Sequence, residues 1–174
     1  MRLVFYPLMV LGAVAAPLAQ AALPDPVTFH SSKVTVVFQH PDKFTDIKDM
    51  NDATDKGEVG MLGIFGKDII STADDLLPDG DHLTMTFTDV KYAGQLPLMS
   101  NLEQSRILSS NFPPHYKFNY QVTDSSGQVI REGKVDLLDL DYHLKMSRAD
   151  DPSYLRADKD EINDWLTTNL RHLK

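Results

Sequence analysis

Residues 77–94 read Leu77-Pro78-Asp79-Gly80-Asp81-His82-Leu83-Thr84-Met85-Thr86-Phe87-Thr88-Asp89-Val90-Lys91-Tyr92-Ala93-Gly94. The first five residues are a turn with a mechanism. Pro78 presets φ, Asp79 can bond its own backbone, and Gly80 can take a positive φ without a Cβ clash. The pattern then switches to a period of two. Leu83, Met85 and Phe87 fall on one side and Thr84, Thr86 and Thr88 on the other, which predicts a half-buried strand with a solvated or lightly covered threonine face. The strand is expected to end near Asp89-Val90, with Ala93-Gly94 as a loop or bulge.

The segment before this turn predicts a helix from about Lys56 to Leu77. Val59, Leu62, Phe65, Ile69, Ala73 and Leu76 recur at spacings of three and four, Pro78 closes it, and Asp55 with Glu58 fits a capping box. Gly57, Gly60, Gly63 and Gly66 each cost about 0.8–1.0 kcal/mol against alanine in a helix. They predict a frayed or late start, and at 300° per three-residue step they spiral round the helix without forming a packing groove. No phosphate-loop pattern accompanies them, although a ligand-contacting loop is the alternative.

Further out, Ala22 to Ser32 is an extended lead, and Lys33 to Gln39 is a strand with Val34, Val36 and Phe38 on one face. Pro41 to Ile47 is an ordered loop whose Phe44 and Ile47 dip into the core. Lys91 to Glu103 is a long loop, and Gln104 to Ser109 a short strand. Tyr116 to Asp124 alternates again, Asp124 to Gly127 is a hairpin turn, and the return strand runs through Gln128 to Leu138 with Gly133 as a bulge. Leu138 to Tyr142 continues the alternation. A closing helix, introduced by Asp151-Pro152, covers about Leu155 to His172. Ile162, Trp165, Leu166, Leu170 and Leu173 form its apolar side; Asp158, Lys159, Asp160, Asn163 and Asp164 form its wet side. The expected fold class is α+β: a mostly antiparallel sheet of about four to five strands with two main helices packed on one face.

The chain has 174 residues, a net charge of −8 and no cysteine. Arg2, the apolar run Leu3 to Ala16 and the A-x-A site Ala19-Gln20-Ala21 read as a signal peptide cleaved after Ala21, leaving residues 22–174 as one α+β domain. Such a leader predicts export, with no membrane span once it is removed. An acidic chain without a basic cluster argues against nucleic acid. The absence of cysteine removes thiol nucleophiles, redox pairs and thiolate zinc sites.

The residues that could carry chemistry are scattered. His30, His40, His82, His115, His143 and His172 form no HxH, HxxxH or HExxH pair. Asp79, Asp81 and His82 are turn residues before a strand, and Asp139, Asp141 and His143 would share a strand face if alternation continues. Asp46, Asp89 and Asp139 are the carboxylates available for acid–base work, although nothing in their spacing makes them converge. No G-x-S-x-G elbow is present. The sequence therefore assigns no catalytic, cofactor or metal residue.

Taken together, Pro41 to Ile47, Leu77 to Gly94, Tyr120 to Tyr142 and Asp160 to Leu166 resemble a bacterial secreted family, domain of unknown function (DUF) 3016. The resemblance implies a Gram-negative periplasmic protein; the family carries no established activity, so no functional residue is transferred. The candidate surface is Phe44, Asp46, Asp89, Tyr92, Gly94 and Asp139, centred on the part of the opening stretch that local rules leave unexplained. The expected function is non-catalytic binding of an envelope protein or component, with no cofactor. The alternatives are a metal- or carboxylate-dependent hydrolase and a small-ligand carrier, and the oligomeric state is open.

Overall fold

The structure, a computed structural model, describes residues 23–49, 52, 54–96, 106–145 and 155–171. Its strands are β1 (Val27–His30), β2 (Val34–Phe38), β3 (His82–Lys91), β4 (His115–Thr123) and β5 (Val129–Leu138). Its helices are α1 (Asp55–Leu76), α2 (Tyr142–Lys145) and α3 (Arg156–Leu170). The five strands lie side by side in chain order, so β3 is the central strand. Every neighbouring pair is antiparallel except β2 and β3, which α1 connects as a parallel crossover. This is the expected α+β architecture. The extended lead supplies one more strand, β1, at the edge.

The turn before β3 closes as its residues dictate: Gly80 has φ +89°, and the Asp81 amide donates to the Pro78 carbonyl at 3.3 Å. Leu83, Met85 and Phe87 are buried, in register with Val34, Val36 and Phe38 of β2 and with Val122, Tyr120 and Phe118 of β4. The strand ends at Lys91, one residue past the expected Asp89-Val90, but it does not keep one phase to that point. A bulge between Phe87 and Asp89 adds Thr88 and shifts the side-chain phase by one residue. Val90 and Tyr92 therefore return to the core, and Asp89 and Lys91 turn away from it.

Both long helices cover this buried face. Trp165 of α3 meets Phe118 and Tyr120 edge-on, at ring separations of 4.9 and 5.0 Å. α1 and α3 are joined by Asn163, whose amide donates to Asp68 at 3.0 Å. At the end of α1, Lys33 directs its ammonium at the Leu77 carbonyl, 3.2 Å away, which suits the negative end of a helix.

Three expectations about local chemistry are corrected. Asp55 is the first helical residue of α1, not its cap. Thr54 occupies the cap position without a side-chain cap bond, because its hydroxyl donates to Asp52 at 2.5 Å. Gly133 is not a bulge: it sits in register opposite Tyr120, and a Cβ there would lie 2.9 Å from that ring. The bulge of the hairpin is instead at Ile130, between the Val122 and Thr123 pairings. The 104–109 strand reduces, among the described residues, to one bridge between Gln95 and Ile107. The expected leader and the Asp151-Pro152 cap lie outside the described residues.

The glycines of α1 also behave differently from the expectation. The helix is continuous from Asp55, and Gly63 and Gly66 both meet the ring of Phe29 on β1. A Cβ on Gly66 would stand 2.9 Å from Phe29 and 3.3 Å from Phe38, whereas one on Gly60 would meet nothing within 4 Å. Gly60→Ala is thus expected to raise stability by about 0.8–1.0 kcal/mol through helix propensity. Gly66→Ala is expected to lower it by about 1–3 kcal/mol through overpacking. Urea unfolding of the two variants measures both signs, and a stabilised Gly66→Ala would contradict the packing described.

Candidate functional site

β2 stops at Phe38, and beyond it the next segment takes its place beside β3. The Pro41–Lys43 turn of 3-10 helix delivers Phe44 into the core, where its ring meets Phe38 edge-on at 6.4 Å. The Asp46 amide then donates to the Val90 carbonyl at 3.1 Å, and the Tyr92 amide donates to the Asp46 carbonyl at 3.0 Å. Ile47 is buried, as the loop reading expected. The carboxylate of Asp89 fixes this segment from the other side. It accepts the Thr45 amide at 2.8 Å and the Thr45 hydroxyl at 2.9 Å.

Arg106 gathers the strands of chain that meet here. Its guanidinium reaches the Asp46 carboxylate at 2.5 Å, the Ala93 carbonyl at 2.8 Å and the Gly94 carbonyl at 3.1 Å. Longer contacts of 3.4 Å run to the carbonyls of Tyr92 and Lys48. The Arg106 side chain is only 7 % exposed. Such a charge is tolerable in that position because Asp46 neutralises it and carbonyls occupy its other donors. Gly94 turns the chain with φ +78°; a Cβ there would lie 2.8 Å from the Ile107 carbonyl oxygen, so the close approach and the backbone angle both require glycine.

Beneath this turn lies a buried acid. Asp158, in the first turn of α3, accepts the Ala93 amide at 2.8 Å and the Tyr116 hydroxyl at 2.5 Å. Its exposure is 2 %. Burial raises its carboxyl to about 6, against the pull of Tyr116, the Ala93 amide and Arg106. Burial likewise holds the Tyr92 and Tyr116 phenols well above the usual tyrosine range, with the Asp158 charge adding to it. The Tyr92 hydroxyl is buried and has no hydrogen-bond partner among the described residues.

The candidate residues thus separate. Asp46, Tyr92 and Gly94 meet around Arg106, and Asp89 joins them through Thr45. Phe44 and Tyr92 are core side chains, buried and not surface groups. Asp139 makes a local turn, accepting the Asp141 amide at 2.9 Å. The chain leaves β5 at Leu138, so alternation does not continue and Asp139, Asp141 and His143 do not share a strand face. Among the described residues, no three histidine or acidic side chains are grouped as metal ligands would be.

Two central residues escaped the sequence reading. Arg106 was one basic residue in a stretch of little pattern. Asp158 belongs by charge to the wet side of the closing helix, yet it is buried. Its signal was present: Asp158 stands four residues before Ile162 and continues the stripe Ile162, Leu166, Leu170, all of them buried.

Chemically, the cluster holds one ion pair, one carboxyl that titrates near neutrality, and two phenols. Apart from the Tyr92 hydroxyl, its polar groups point at one another and at the backbone, the geometry of a lock between the end of β3, the 44–48 segment and α3. No curated protein and no solved structure matches this chain. Residues 32–168 match the family described as Protein of unknown function (DUF3016). That match takes in β2 through most of α3, the Asp46–Arg106 pair and the Asp158 lock together, and the chain belongs to this family of proteins of unknown function.

Proposed function

We propose that this chain is an exported, periplasmic, non-catalytic domain that works by binding an envelope protein or component. The leader-like sequence Met1 to Ala21 motivates the location. The observation that carries the binding reading is the use to which the acidic groups are put. Asp46 holds Arg106, Asp89 holds Thr45 with both oxygens, and Asp139 holds its own turn. A hydrolase built on these carboxylates would have to release them from the contacts that order the loops.

The surface left for a partner is the face of the sheet away from the helices. Across it run Thr35, Thr84 and Gln121 in one row and Val37, Thr86 and Asn119 in the next. Thr84, Asn119 and Gln121 are exposed. The short side chains of this face, Thr35, Thr84, Thr86 and Asn119, offer hydrogen-bonding groups with little side-chain entropy to lose on contact.

A photo-crosslinking residue at Thr86 is expected to yield a discrete adduct in periplasmic extract, abolished by Asn119→Arg beside it. The same residue at Lys67, exposed on α1, is the control and should yield none. Equal labelling from both positions, or no adduct from Thr86 under several growth conditions, would contradict the proposal.

A further inference from the structure

β5 is the last strand of the sheet, with β4 on one side and no strand on the other among the described residues. It spans ten residues, none of them buried, and it contains no proline. Edges of this length usually carry a device that blocks pairing. Here the bulge at Ile130 disturbs only the turn end, and Arg131 to Leu138 pair regularly with β4. Leu138 is 47 % exposed at the far end.

The charges along this edge complement themselves. Glu132, Lys134 and Asp136 alternate on the polar face of the sheet. Two copies of β5 related by a two-fold axis perpendicular to the sheet pair antiparallel, with each residue opposite one of the same face. With the axis at Val135, Lys134 of each copy stands opposite Asp136 of the other. Leu137 then lies against Gly133, Glu132 stands opposite Leu138, and the register lies wholly beyond the bulge. With the axis at Lys134, that lysine opposes itself and Glu132 opposes Asp136, so like charges face each other. Asp136 also meets His115 of its own chain. Its side chain is nevertheless 67 % exposed and open to a second contact.

We propose that the chain forms a two-fold dimer by antiparallel pairing of β5 with β5 of a second copy, in the register centred on Val135. The two sheets become one continuous sheet with both polar faces on the same side. This inference concerns self-association and is independent of what binds the polar face.

The test is light scattering on the purified protein at high micromolar concentration, with two reversals and their combination. The wild type is expected at twice the chain mass. Lys134→Glu sets acid against Asp136 at two places, and Asp136→Lys sets lysine against Lys134 at two places, so each single variant is expected to fall to the chain mass. The combined variant Lys134→Glu/Asp136→Lys restores both opposite-charge pairs and is expected to return to twice the chain mass. A monomeric wild type, or a dimer that survives both single reversals, would overturn the proposal. A dimer lost with Lys134→Glu, kept with Asp136→Lys and lost again in the combination would overturn the Val135 register in favour of one centred on Gly133.

Discussion

Asp158→Ala is expected to destabilise the fold by about 2–6 kcal/mol at pH 5, while Asp158→Asn is expected to be tolerated. The alanine leaves two buried donors, the Ala93 amide and the Tyr116 hydroxyl, without an acceptor, and each costs about 1–3 kcal/mol. Asparagine keeps an oxygen in the same place. The comparison belongs at pH 5 because the folded-state carboxyl titrates at about 6, so it is mostly neutral there, as the amide is.

The sign of the pH dependence follows from the same burial. The folded value is raised from 3.8 to about 6, so folding favours the protonated carboxyl. The associated stability is fully present below 3.8 and is lost as pH rises through about 6. The whole effect is about 3 kcal/mol. The wild type should therefore lose stability relative to Asp158→Asn between pH 4 and 7, and urea unfolding across that range measures the difference.

The second large effect is expected at Phe65. Its ring is fully buried and lies 5.4 Å from Tyr116, 5.7 Å from Tyr92, 5.8 Å from Phe87 and 6.5 Å from Phe38. It is where α1 meets β2, β3, β4 and the floor of the Asp158 lock. Phe65→Ala should cost about 3–5 kcal/mol through lost burial and the cavity left behind. Phe65→Leu, which keeps most of the volume, should cost markedly less. Urea unfolding separates the two, and a Phe65→Ala variant within 1 kcal/mol of the wild type would mean that the rings do not form one packed unit.

Most of the framework was legible because it rests on periodicity. The alternation of Leu83, Met85 and Phe87 gives the central strand. That of Tyr116, Phe118 and Val122, followed by Asp124 to Gly127, gives the hairpin. The three-and-four spacing of Leu62, Phe65, Ile69 and Ala73 gives α1. What escaped depends on contacts between distant segments. Gly66 reads as a weak helix residue until Phe29 is placed over it, and Gly133 reads as a bulge until Tyr120 is. The bulge at Thr88 has no local signature, yet it decides that Val90 and Tyr92 point inward and Asp89 outward.

At the site, Asp46, Asp89, Tyr92 and Gly94 could be singled out as unexplained by local rules, but not for the reason the structure supplies. Their partners are Arg106, Thr45 and the Ile107 carbonyl, up to 60 residues away in the chain. A buried carboxylate on a charged helix looks like a solvated one until its stripe is traced to Leu170. The lock is therefore a property of the tertiary fold: its acidic residues are scattered in sequence and serve as hydrogen-bond acceptors in three dimensions.

Amide hydrogen exchange at Ala93 tests that account most directly. This amide lies beyond the last residue of β3, in a bend, and among the described residues its hydrogen-bond acceptor is Asp158. Protection comparable to the β3 amides is expected in the wild type and in Asp158→Asn, with loss of protection at Ala93 in Asp158→Ala. Exchange of the wild-type Ala93 amide at the rate of an exposed loop, or equal protection in all three proteins, would contradict the lock.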